Sequence, residues 1–183
     1  MNAHGVGGHD FTECTEEAFR SIINAHLGHG ATSFYPTISS SPFEKLHQAA
    51  QVCEKLMAEP GSPVLGLHIE GPYLNKKMAG EQFADQVKEI DGQEYRELVE
   101  STRCIRRWDA SPELPGALEF ASYLREKGIL AAVSHTEAEY DGIRASYEAG
   151  FTHAAHFYNA MPGFHKRREY KYEGTVESIY LTD

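Results

Sequence analysis

Short apolar runs recur along the chain, each followed by a polar turn and then by a longer stretch with apolar residues at helical spacing. The runs predict strands over residues 31–36, 64–70, 103–110, 130–135 and 151–156, with a stub at 1–5 finishing a sixth. The stretches between them predict helices over 15–27, 41–57, 93–101, 111–127 and 137–148, and a further one over 173–181. Ser111-Pro112-Glu113 reads as an N-cap, a proline at the first helical position and an acid on the positive end of the helix dipole. Gly128 and Gly150 stand where the residue after a helix commonly takes positive φ. Alternation of this kind dictates a parallel sheet, either doubly wound or closed as a (β/α)₈ TIM barrel. A barrel needs about 250 residues and eight strands. Five or six strands are legible here, so on the barrel reading residues 1–183 form one incomplete domain with about six of eight strands.

Composition narrows the partners. With 183 residues and 41% hydrophobic positions, the chain can bury one sizeable core but is short for two ordinary domains. A net charge of −10 argues against nucleic acid and against an anionic membrane, since both demand a cationic face. The longest purely apolar run, residues 129–133, is far below the ~20 needed to cross a bilayer. The opening Met1-Asn2-Ala3-His4-Gly5 has neither the basic nor the apolar region of a secretory signal. Cys14, Cys53 and Cys104 are odd in number and widely spaced, which fits reduced thiols, and the cytoplasm is the expected compartment. The glycine-rich opening His4-Gly5-Val6-Gly7-Gly8 lacks the third glycine of a dinucleotide fingerprint.

In a parallel α/β fold, reactive groups gather at the C-terminal ends of the strands, which open onto one rim. Three predicted strands end in Glu70, His135 and His156. Period-two alternation puts Glu70 with His68 on one face and Leu67 with Ile69 on the other. An acid ending an apolar strand, with no basic neighbour in sequence, is costly unless it is paired or ligating. One carboxylate and two imidazoles with an open position form a known catalytic zinc arrangement, which polarises a carbonyl and acidifies water and so suits hydrolysis. One divalent metal ion is therefore expected at Glu70, His135 and His156; zinc comes first, and iron, cobalt or nickel accept the same ligands. His26, His29, His47 and His165 fall in helices or loops and read as ordinary histidines. Lys166, Arg167, Arg168 and Lys171 read equally as a clamp for phosphate or carboxylate and as a solvated loop. Residues 73–90 are long for a βα loop, as a substrate-binding lid or a surface insertion would be.

Three segments, in this order, carry a resemblance: residues 66–75 (Gly-Leu-His-Ile-Glu-Gly-Pro-Tyr-Leu-Asn), Ser134-His135-Thr136, and residues 156–163 (His-Phe-Tyr-Asn-Ala-Met-Pro-Gly). Together with His4-Gly5-x-Gly7-Gly8-x-Asp10 and Thr32-x-x-x-Pro36-Thr37, they resemble the N-acetylglucosamine-6-phosphate deacetylase family of the amidohydrolase superfamily. The resemblance spans nearly the whole chain and implies a (β/α)₈ barrel with a small β-sandwich built from both chain ends. It implies metal-dependent hydrolysis of N-acetylglucosamine 6-phosphate to glucosamine 6-phosphate and acetate, and a homodimer. It repeats Glu70, His135 and His156 as metal ligands. It assigns Asn159, the Ala160 N–H and Arg168 to the sugar phosphate, with Arg167 as a rival, and Gln82 to a substrate-contacting position.

Two departures stand out. Some members open His-x-His-Gly and hold a second metal, where this chain has Asn2-Ala3-His4-Gly5, leaving His4 as a remnant. The family's general-base aspartate sits in a later Thr-Asp-Ala motif, expected beyond residue 183, so the chain reads as the front and middle of the enzyme and as inactive alone. Thr182-Asp183 imitates that motif but follows His156 too closely, and Asp183 is expected well over 10 Å from the metal trio. The alternatives are another metal-dependent amidohydrolase and a non-catalytic sugar-phosphate-binding chain.

Overall fold

The computed structural model describes residues 3–182; the first two residues of the expected stub, and Asp183, lie outside them. A two-residue hairpin, β1 (Gly5–Val6) with β2 (His9–Asp10), leads into α1 (Glu16–Gly28). Four βα units follow: β3 (Thr37–Ser39) with α2 (Phe43–Met57), β4 (Leu67–Glu70) with α3 (Gly92–Ser101), β5 (Ile105–Ala110) with α4 (Ala117–Glu126), and β6 (Leu130–Val133) with α5 (Tyr140–Ala149). Strand β7 (Phe151–Ala154), the hairpin β8 (His165–Arg167) with β9 (Tyr170–Tyr172), and α6 (Thr175–Tyr180) complete the described residues. The sheet runs β3-β4-β5-β6-β7, every pair parallel. Its order never reverses, as a doubly wound sheet requires, so these units form part of a (β/α)₈ barrel wall. Ala3 continues that wall beyond β3: its carbonyl accepts the Thr37 N–H at 3.0 Å and its N–H donates to Thr37 Oγ1 at 3.2 Å.

Alternation along the strands sorts the two faces. Leu67 and Ile69 of β4, Trp108 and Ala110 of β5, and Ala131 and Val133 of β6 join one apolar cluster with helix residues such as Leu46, Leu98, Phe120 and Ile143. Trp108 meets the Phe120 ring edge-on and stacks on Tyr73, while its Nε1 donates to the Gly71 carbonyl at 2.8 Å. The opposite face is polar. Thr37 Oγ1 lies 3.0 Å from His68 Nδ1, and Arg107 donates to Asp109 through Nε at 2.7 Å and Nη2 at 3.1 Å. His68 Nε2 lies 2.9 Å from Asp109 Oδ1, within ion-pair distance but without hydrogen-bond alignment.

Five elements differ from expectation. The strand expected at 31–36 forms at Thr37–Ser39, with only a bridge from Phe34 to Val64 before it; Pro36 has no N–H to donate, and its carbonyl takes the His68 N–H instead. The strands expected to reach 135 and 156 stop at Val133 and Ala154, because His135 (φ 45°) and His156 (φ 27°) leave extended geometry. The helix expected from 111 begins at Ala117, after Gly116 at φ 85°. The basic segment is the β8–β9 hairpin rather than an unstructured loop.

Candidate metal centre

Glu70 ends β4 on a rung with Ser39 of β3 and Asp109 of β5, its carboxylate only 3% exposed. The next residue must be glycine: Gly71 takes φ +87°, and a Cβ there would lie 2.2 Å from Ser40 Oγ. Glu70 Oε1 lies 3.0 Å from His135 Nε2 and 3.2 Å from His156 Nε2, and accepts the Gln82 amide at 3.0 Å. Glu70 Oε2 lies 2.9 Å from His4 Nε2, so the expected remnant reaches the same carboxylate. One donor atom each from Glu70, His135 and His156 lies within 4.8 Å of the others, so the three residues read from strand ends converge. Both histidines take left-handed backbone conformations, uncommon for residues with a side chain and concentrated at functional sites.

The hydrogen bonds behind the rings indicate what they face. His135 Nδ1 lies 2.7 Å from the Met78 carbonyl, and His156 Nδ1 lies 3.1 Å from the Asn159 carbonyl. A carbonyl only accepts, so both Nδ1 atoms carry protons and neutral rings present lone pairs at Nε2. Two lone pairs aimed at a carboxylate oxygen repel it, while two imidazolium rings with centroids 4.9 Å apart repel each other. A divalent cation among the three removes both conflicts, and a backbone carbonyl behind each imidazole is the usual support of a metal-ligating histidine. The residues therefore fit the implied metal. Burial opposes ionisation of Glu70, but His135, His156 and His4, when protonated at Nε2, donate to the carboxylate, outweigh burial and hold the carboxyl far below the ordinary range. The hydrogen bond to Glu70 raises the His156 pKa against the effect of burial. At His4, burial pulls the pKa down, yet the bond and charge of Glu70 leave it raised.

These residues open into a cavity of about 560 Å³ whose wall also holds Ser39, Gln82, Asn159 and Ala160. Gln82 accepts the Ser40 N–H at 2.9 Å while donating to Glu70, so the long segment 73–90 forms a wall of the site through Met78, Gly80 and Gln82. Asn159 and Ala160, expected at the phosphate, share the cavity with the trio; Arg168, at the β8–β9 turn with φ 54°, does not line it. Arg167 pairs with Glu139 and lies 5.0 Å over the Tyr172 ring. Sequence reasoning missed Ser134, whose Oγ lies 3.3 Å from His156 Nε2, and the Met78 carbonyl. Ser134 precedes a ligand in sequence and could have been flagged, whereas a backbone carbonyl leaves no sequence signal. A larger cavity, about 720 Å³, between residues 74–76, 88–92 and Leu114, contains no His or Cys.

No protein-family profile matches the chain. It is 29% identical over 96% of its length to N-acetylglucosamine-6-phosphate deacetylase of Haemophilus influenzae, covering 46% of that protein. It is 28% identical over 91% of its length to N-acetylgalactosamine-6-phosphate deacetylase of Escherichia coli O157:H7, covering 45% of it. Its fold superposes with a TM-score of 0.89, at 27% identity, on a variant of the Mycobacterium smegmatis N-acetyl-D-glucosamine-6-phosphate deacetylase solved with N-acetyl-D-glucosamine-6-phosphate; the match covers 98% of this chain and 46% of that one. The chain spans about half the length of the relatives it matches. In sequence and in fold alike, it is similar to proteins named N-acetylglucosamine-6-phosphate deacetylase.

Proposed function

We propose that the protein holds one divalent cation, zinc foremost, at Glu70, His135 and His156 and serves the hydrolysis of N-acetylglucosamine 6-phosphate to glucosamine 6-phosphate and acetate. The observation that carries this reading is the convergence of one carboxylate and two Nδ1-tethered imidazoles in a cavity shared with Asn159 and Ala160. Bound there, a divalent cation supplies Lewis acidity toward the amide carbonyl and a water molecule. The chain's own residues do the rest of the positioning. The Met78 and Asn159 carbonyls fix the imidazole tautomers, so that both Nε2 lone pairs face the cation. Asn159 and the Ala160 N–H grip the sugar phosphate, and Gln82, in the same cavity wall, contacts the sugar. The resemblance also assigns Arg168 to the phosphate grip, although it does not line the cavity; Arg167 is already committed to Glu139. Holding the phosphate away from the reacting amide fixes the amide in line, which converts binding energy into orientation. The resemblance implies a general-base aspartate in a Thr-Asp-Ala motif, which residues 1–183 do not contain.

On this reading the described residues belong to one incomplete barrel domain of a cytoplasmic homodimer whose small β-sandwich and last strands lie outside the chain. Three cysteines free of disulfides support the reducing compartment, and among the described residues no helix is long and apolar enough to cross a membrane. The Escherichia coli relative supports a second substrate, N-acetylgalactosamine 6-phosphate, which differs only in the configuration at C4. Calorimetry of the zinc-loaded protein against both phosphorylated sugars and unphosphorylated N-acetylglucosamine tests the proposal. Binding that needs both the cation and the phosphate is expected, and the tighter epimer identifies the substrate. Equal binding of the unphosphorylated sugar would overturn it.

A further inference from the structure

Ser111-Pro112-Glu113 has the composition of a helix start, yet α4 begins six residues after Ser111 and neither side chain caps it. Their hydrogen bonds go elsewhere. Ser111 is fully buried, and its Oγ lies 2.7 Å from the His135 carbonyl and 2.9 Å from the Ser134 carbonyl, which share its one proton. The same oxygen accepts the Asn75 N–H at 2.7 Å. The Glu113 carboxylate accepts the Glu137 N–H at 2.9 Å, the Asn75 side-chain amide at 2.7 Å and the Thr136 hydroxyl. The turn that carries His135 is therefore gripped on both sides, at its own carbonyl by Ser111 and at the next two residues by Glu113.

That grip falls where the backbone needs it. His135 has φ 45°, a conformation strained for a residue with a Cβ that persists only when its surroundings over-determine it. Both side chains also hold Asn75, the residue from which the chain enters the segment bearing Met78, whose carbonyl receives the His135 Nδ1 proton, and Gln82, which reaches Glu70. Neither Ser111 nor Glu113 lines the cavity.

We propose that Ser111 and Glu113 are positioning residues for the metal centre: from the end of β5 they lock the 134–137 turn and the 75–82 segment together, fixing the direction of the His135 Nε2 lone pair. The inference rests on the metal-centre reading above. Its test is cobalt(II) and zinc(II) affinity by competition with a chromophoric chelator, with the visible spectrum of the cobalt form as a report of ligand geometry. Glu113→Ala is expected to weaken both ions by about 10- to 100-fold, the range seen when the support of a metal ligand is removed, and to alter the cobalt spectrum. Glu113→Gln should restore most of the affinity, because its oxygen still accepts from Glu137 and Asn75 and its amide can donate to the Thr136 hydroxyl. Should Glu113→Ala fail to fold, Ser111→Ala decides the matter by the same two measurements, since it removes one hydroxyl and almost no volume. Unchanged affinity and spectrum in the folded variants, with the unaltered protein binding metal normally, overturn the positioning role alone. Absence of metal binding by the unaltered protein overturns the metal-centre reading itself.

Discussion

Phe120→Ala removes the ring around which the helix layer of β5 is organised. Phe120 is fully buried on α4 and meets Tyr95, Trp108 and Tyr73 edge-on, with centroids 5.0, 5.4 and 5.7 Å away and interplanar angles of 80°, 88° and 82°. Truncating a buried Phe to Ala costs about 3–5 kcal/mol, the lost transfer free energy plus the cavity left behind. Three edge-to-face contacts, each worth about 0.5–1.5 kcal/mol beyond area, put this site at the upper end of that range, about 4–5 kcal/mol. Collapse is restricted because Trp108 is held by its Nε1 bond to the Gly71 carbonyl and Tyr73 by its bond to the Asp91 carbonyl. A domain with a total stability of about 5–15 kcal/mol would keep little margin. Urea unfolding followed by fluorescence reports on this site directly, because Trp108 is the chain's only tryptophan and is itself a Phe120 neighbour. Circular dichroism should give the same midpoint if the transition is two-state. Phe120→Leu, which keeps most of the volume, is expected to lose about 1.5 kcal/mol. A loss below about 2 kcal/mol for Phe120→Ala with an unchanged denaturant slope would refute the reasoning, since the cluster would then close over the gap freely.

His156→Ala should abolish the thermal stabilisation that zinc confers, which at a hundredfold excess over Kd is about 2.7 kcal/mol, read as the melting shift with and without zinc. Gly71→Ala should destabilise the metal-free protein by about 1–3 kcal/mol or more in urea, since a Cβ there meets Ser40 Oγ at 2.2 Å in a left-handed conformation. It should also weaken zinc binding, because Glu70 is displaced with the turn. Arg168→Ala should weaken N-acetylglucosamine 6-phosphate by about tenfold, the value of one charge-assisted hydrogen bond, and leave unphosphorylated N-acetylglucosamine unaffected in the same titration.

Legibility followed the range of the interactions that decide each feature. Helix α1 was readable because its determinants are local: Thr15 accepts the Ala18 N–H, Glu16 and Glu17 occupy the first turn, and Phe19, Ile22 and Ile23 form a buried stripe. Glu70, His135 and His156 were readable because parallel strands must end on one rim, so residues far apart in sequence share a site without any knowledge of their neighbours. What supports them was hidden, since the Met78 carbonyl has the same sequence signature as every other carbonyl. Ser111-Pro112-Glu113 was misread for a related reason. An N-cap serine followed by an acid is selected for accepting backbone N–H groups, and the donors here, from Asn75 and Glu137, are backbone N–H groups as well. Local chemistry cannot tell whether such donors come from the next turn of a helix or from neighbouring strands' loops. Placement on the rim tips the balance, because a short polar side chain at the end of β5 stands between two loops whose own backbone groups have no ladder partner. At the C-terminal ends of parallel strands, capping composition is therefore evidence of unsatisfied backbone nearby rather than of a helix.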